Sequence, residues 1–258
     1  MAKKMKMEVV NPRCAGIDVG SRSHFVAIGQ NDSDVKEFGV YADDLTAICK
    51  WLKENSITSV AMESTGSYWQ NLYVELSKYG FELVLANGKF TKNARGKKTD
   101  VKDCQWIQKL HSIGLLTSSF LPDETTEQLR TYCRQRTNWL DLAAETSSKM
   151  QKYLKLLNFR LDVVVNDVCG LTGLAIIADI CNGNLDPQEL AEHRHYNCKK
   201  SKEEIVKALR GNNRKDYLFG LKQEYESYQY FQTKISDCDK QIELFMKNVI
   251  DADPVKKN

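Results

Sequence analysis

Two carboxylates three residues apart, Asp100 and Asp103, occur in the run Lys98-Thr99-Asp100-Val101-Lys102-Asp103, where a basic stretch gives way to helical spacing. On a helix that spacing puts both acids on one face. The plain reading is a helix start, with Asp100 as N-cap and an acid three residues on, as in a capping box. Two acids upstream shift the balance, because each closes an apolar run. Asp18 follows Cys14-Ala15-Gly16-Ile17, and Glu63 follows Val60-Ala61-Met62. Carboxylates with no paired base nearby form an oxygen ligand set, which suits Mg²⁺ and related hard cations.

The stretch before the acid pair carries Lys89, Lys92, Arg95, Lys97 and Lys98 and no acid. A solvated charge run explains many such segments. Beside a metal site it reads better as a contact to a phosphate backbone. Phe90 within it could stack on a base, and Gly96 permits close backbone approach.

These residues need a frame. Residues 14–20 read as a buried strand, 24–30 as a second after a Gly-Ser turn, and 35–40 as a third after a polar hairpin connection. Leu45, Ile48, Cys49 and Leu52 have helical spacing behind an Asp43 cap. A strand over 57–63, a helix over 67–79, a strand over 81–86 and a helix from about Asp100 to His111 follow. Three antiparallel-capable strands, then alternating helix and strand, is the order of the ribonuclease H-like α/β fold. There the first and fourth strands lie parallel, joined by a right-handed crossover. Asp18 and Glu63 would then stand at neighbouring carboxyl ends, where open α/β sheets place their ligands.

After Leu121-Pro122 the pattern changes. Leu129, Cys133, Arg136, Leu140, Ala143, Ser147, Met150, Leu154, Leu157 and Leu161 follow an alternating four-three spacing, and Leu218 to Val249 repeats it. Such seams predict two long helices in a coiled coil, as an intrachain hairpin or a dimer stalk. The runs beginning at Asp186 and Ser201 read as capped starts of short helices between them. The expected organisation is an α/β domain over 1–124, an all-α coiled-coil segment over 125–250 and a disordered tail over 251–258.

Composition narrows the class. With 37 Lys and Arg against 34 Asp and Glu, the net charge is only +3, so nucleic-acid contact must rest on local clustering. No apolar run reaches the ~20 residues of a membrane span, and no apolar h-region follows the basic start. The eight cysteines contain no C-x-x-C pair and fall at scattered apolar positions, as expected of a reduced, cytoplasmic protein. The cluster His193-Arg-His195-Tyr-Asn-Cys198 has no fourth ligand at zinc spacing and reads as a polar loop.

Gly16-Ile17-Asp18-Val19-Gly20, then Met62-Glu63-Ser64-Thr65-Gly66-Ser67-Tyr68, then Lys98-Thr99-Asp100 with Asp103, together resemble the DEDD-type insertion-sequence transposases. That family has a RuvC-like ribonuclease H-fold domain and includes bridge-RNA-guided recombinases. The resemblance spans about residues 12–250. It implies that Asp18, Glu63, Asp100 and Asp103 are a catalytic tetrad binding Mg²⁺, or Mn²⁺, near the scissile phosphate. It also implies DNA and a structured guide RNA as partners, and homo-oligomerisation through the coiled coil. Two departures stand out. Cys104 occupies a position where the family more often has Ala, and the family's serine-bearing nucleophile domain is expected beyond the last residue here. A stand-alone RuvC-like structure-specific nuclease and a noncatalytic nucleic-acid-binding fragment share these features. An actin-fold sugar kinase, suggested by Gly16 to Gly20 alone, would need a second Asp-x-Gly phosphate loop, and the coiled-coil half offers none.

Overall fold

The computed structural model describes residues 8–64, 66–88 and 99–252. The chain divides into two compact units, Met1–Leu121 and Pro122–Asn258.

In the first unit, strands β1 (Cys14–Val19), β2 (His24–Ala27) and β3 (Val35–Phe38) precede helix α1 (Ala42–Glu54). Then come β4 (Ser59–Glu63), α2 (Trp69–Lys78), β5 (Glu82–Ala86) and α3 (Asp100–Ser112). The five strands form one sheet in the order β3-β2-β1-β4-β5. β1 is antiparallel to β2 and parallel to β4, and β4 is parallel to β5. This mixed sheet with its helices fits the ribonuclease H-like α/β fold.

Alternation along β1 sorts its side chains between two faces. Ala15, Ile17 and Val19 join Val26, Val60, Met62 and Leu85 in one core, closed by Leu45, Ile48, Cys49 and Leu52 of α1 and Leu72 and Leu76 of α2. Full burial of such Leu, Ile and Val side chains contributes about 1.5–3 kcal/mol each.

Cys14, Gly16 and Asp18 face the other way, where α3 packs across β1 and β2. Only glycine allows that approach. A β-carbon at Gly16 would fall 2.1 Å from the Gln108 backbone nitrogen and 2.6 Å from the Cys104 carbonyl oxygen. Directional bonds fix the helix in place. Gln30 Nε2 donates to Gln108 Oε1 at 2.6 Å and to the Gln105 carbonyl at 2.9 Å. Gln108 Nε2 donates to the Cys14 carbonyl at 3.3 Å, and the Ser59 hydroxyl lies 2.7 Å from His111 Nε2.

The helix starts differ from the sequence expectation by one or two residues. Thr99, not Asp100, is the N-cap of α3: its side chain accepts from the Lys102 amide at 3.3 Å. A Thr hydroxyl in extended backbone caps well, which frees Asp100 to sit inside the first turn. Likewise Tyr41 is the N-cap of α1, and the acid reaching back to its amide is Asp44, at 3.0 Å, rather than Asp43.

In the second unit the long helices α4 (Glu124–Leu156) and α8 (Lys215–Ala252) flank α5 (Leu171–Cys181), α6 (Pro187–Leu190) and α7 (Lys202–Ala208). Ser201 and Asp186 cap α7 and α6 with their side chains, as those motifs require. A second core gathers Met150, Leu154, Leu157, Phe159, Leu161, Ile176, Ile177, Ile180 and Leu221. α4 and α8 run antiparallel within the chain, through Tyr153–Tyr217, Trp139–Phe231 and Tyr132–Phe245 ring contacts at 6.5, 5.8 and 5.9 Å. Arg136 and Asp239 add an ion pair at 2.5 Å.

The strict heptad reading misplaces part of this seam. Cys133, Leu140, Met246 and Val249 are exposed, while the neighbouring aromatics Tyr132, Trp139, Phe231 and Phe245 make the contacts. A straight helix drifts from an exact seven-residue repeat, and large rings reach the partner from flanking positions. α8 runs through Asp251 to Ala252, beyond the expected end of the helical segment at 250. No helix among the described residues is long and apolar enough to cross a membrane.

Candidate metal centre

Asp18 is the last residue of β1 on the face that α3 covers, one residue short of the strand end. Because α3 crosses β1 at Gly16, with Cys104 and Gln108 on its backbone, the turn before Cys104 projects beyond the crossing toward the carboxyl edge. That turn holds Asp100 and Asp103. Ligand oxygens of Asp18, Asp100 and Asp103 all lie within 4.8 Å of one another, with Asp100 exposed and the other two half-buried. The helix N-terminus favours negative charge there, which offsets part of the mutual repulsion.

Glu63 ends β4, one residue beyond the Ile17–Met62 pair that sets the parallel register with β1. It therefore occupies the strand end next to Asp18. Its carboxylate leans on the chain after β5: a β-carbon at Gly88 would fall 2.6 Å from Glu63 Oε1. The group of three mutually close acids does not include Glu63. The basic residues Lys89, Lys92, Arg95, Lys97 and Lys98 lie outside the described residues.

The thiol of Cys104, fully buried directly after Asp103, registers the local field. Burial chiefly, and then the negative charge of Asp18, push its pKa up to about 12. The thiol is thus a neutral, inert side chain beneath the acids.

The acids open onto a crevice of about 270 Å³ lined by Asp18, Gly20, Ser21, Arg22, Ser23, Phe25 and Asp100. Arg22 and Phe25 escaped the sequence reading. The available signal was the hairpin itself, since a β1–β2 pair turning at Gly20–Ser23 sets Phe25 directly opposite Asp18.

The donors suit a divalent cation. The three close ligands are all carboxylate oxygens, with no imidazole or thiolate among them, the set preferred by Mg²⁺ and Mn²⁺ over zinc or copper.

A mixed sheet carrying converging carboxylates at its carboxyl edge defines the class: an α/β domain whose clustered acids could hold a metal ion. The family model for the IS110 DEDD transposases matches residues 15–159, and the chain belongs to that transposase family. Among curated proteins no match is found.

Proposed function

We propose that this protein is the metal-binding catalytic part of an RNA-guided DNA transposase, with Asp18, Glu63, Asp100 and Asp103 as the ligands of Mg²⁺ or Mn²⁺. The observation that carries the reading is the convergence of Asp18, from the first strand, with Asp100 and Asp103, from a helix far along the chain. Membership of the transposase family supports a DNA substrate.

When bound, the ion would supply Lewis-acid stabilisation of charge on the phosphate oxygens during strand cleavage and exchange. The residues present prepare for it. Asp18 is held by strand pairing and Asp103 by a helix locked onto that strand, so two ligands are fixed before any ion arrives. Asp100, exposed at the first turn, faces the solvent side from which a DNA strand would approach. Glu63 closes the site from the neighbouring strand end. In this reading the basic residues Lys89, Lys92, Arg95, Lys97 and Lys98 hold the phosphate backbone, a structured guide RNA selects the DNA, and copies of the chain associate through the helical unit. The setting is cytoplasmic, where both nucleic acids are found.

The test is a nicking and strand-transfer assay on cognate DNA with Mg²⁺, with the serine-bearing domain of the family supplied, in the presence and absence of the guide RNA. Asp18→Asn and Asp100→Asn should each abolish product while leaving the fold intact by circular dichroism. Product formation that survives both substitutions would remove these residues from the chemistry, and product formation indifferent to RNA would remove the guide.

A further inference from the structure

The crevice beside the acids has a second wall that metal binding does not use. It is the β1–β2 hairpin, with Ser21, Arg22 and Ser23 in the turn and Phe25 on the strand. Arg22 is exposed and lines the same crevice as Asp18 and Asp100, yet it makes no ion pair among the described residues. A guanidinium left unpaired beside carboxylates is available to an incoming anion, and its planar fork matches a phosphate. Phe25 sits directly across from Asp18 in the strand register, so its ring rises from the sheet next to the metal ligand. The ring is only half-buried, and it also borders the adjoining groove of Val35, Thr99, Val101 and Lys102.

Resting on the metal-site reading above, we propose that this hairpin clamps an unpaired DNA strand beside the acids. Arg22 holds the phosphate next to the one at the metal centre, and Phe25 stacks on the intervening base. A space of about 270 Å³ is the scale of one small ligand, such as a single nucleotide, rather than of a duplex. Stacking on Phe25 requires a base free of its partner, so the clamp reads strand separation and not sequence. The hydroxyls of Ser21 and Ser23 offer further hydrogen bonds to phosphate oxygens without selecting a base.

The experiment is fluorescence anisotropy with the full chain and a labelled, mixed-sequence single-stranded DNA, repeated over a range of salt. Arg22→Ala should lower the slope of log affinity against log salt by about 0.7, the loss of one single-strand phosphate contact. Phe25→Ala should weaken binding on the order of tenfold with the slope unchanged, and Phe25→Trp should retain it. If Phe25→Ala fails to fold, Phe25→Leu fills the same space without a stacking face and serves in its place. Annealing the complement should make binding insensitive to Phe25. An unchanged slope in Arg22→Ala, equal effects of Phe25 on single and double strands, or no binding by the wild-type chain would overturn the clamp. So would an RNA of the same sequence binding more tightly in an Arg22-dependent way. Mn²⁺ titration followed by electron paramagnetic resonance, without DNA, separates the two readings. Loss of Mn²⁺ binding with the Arg22 and Phe25 effects intact would remove the metal site and leave the clamp. Mn²⁺ binding with an unchanged slope in Arg22→Ala would do the reverse.

Discussion

His24 and His111 are buried on opposite faces of the sheet, with 2% and 3% of their surface exposed, and neither belongs to the metal centre. Burial lowers the pKa of both below the ordinary histidine value. Asp44 opposes the shift at His24, and Glu82 opposes it at His111. His24 also keeps its Nδ1 without a hydrogen-bond partner, so the core holds it as a neutral ring. The sign follows. As pH falls through about 6.5 the unfolded chain takes up protons that the folded chain refuses, so stability falls with pH below that point and is unaffected by these rings above it. Urea unfolding at about pH 5.5 and 7.5 should show the loss, and His24→Leu should shrink it. A variant with the full wild-type loss would clear His24 of the effect. Single residues were unevenly legible. Asp18 and Glu63 stand out because an acid closing an apolar run is costly without a reason, and Asp100 and Asp103 because their spacing defines a face. Arg22 and Phe25 look like ordinary turn and strand residues until strand pairing places them beside Asp18.

Among the elements, α3 depends most on a single position. Gly16→Ala would drive a methyl group into the Gln108 and Cys104 backbone, which cannot move as a flexible side chain could. The helix would have to lift, costing about 1–3 kcal/mol by the usual measure of overpacking. Asp100 and Asp103 would lift with it, so Mn²⁺ affinity should fall as well as stability. Retention of both would mean that the helix is not seated by this contact. In the helical unit the expectation is graded by burial. Leu154→Ala, in the core, should cost about 2–5 kcal/mol. Arg136→Ala breaks an ion pair whose side chains are 38% and 51% exposed and should cost far less. Denaturant midpoints of the two variants test the order, and a larger loss from Arg136→Ala would reverse it. Strand and helix periodicities were readable here because burial imposes them. The exact helix seam was not, since rings as large as Trp139 and Phe231 reach contact from positions that the repeat assigns to solvent.

On the scale of the molecule, two units with separate cores should melt in two steps. Only the first holds the acids, so Mg²⁺ should raise one transition and leave the other in place. At a hundredfold excess over its dissociation constant the gain is about 2.7 kcal/mol. Of the four tryptophans only Trp139 lies in the helical unit, so its fluorescence in a variant lacking the other three should not respond to Mg²⁺. A metal-dependent shift in that signal would contradict the independence of the two steps. The order of the fold, three strands and then a crossover, was accessible from pattern alone. The meeting of its first strand with its last helix rests on Gly16, whose role is visible only when the helix is seen lying on it.

That meeting also sets a timetable. Asp18 leaves the ribosome early, whereas Asp100 and Asp103 follow only after β4, α2 and β5, a delay on the order of ten seconds at ~5–20 residues per second. A nascent chain therefore has no assembled ion site to load, and the ligand set is complete only once the last helix has docked. An ion that binds only the finished arrangement gains nothing in a transition state where that helix is still undocked. Bound metal should accordingly slow unfolding and leave the folding rate almost unchanged, making the ion a latch on the finished domain rather than a template for it.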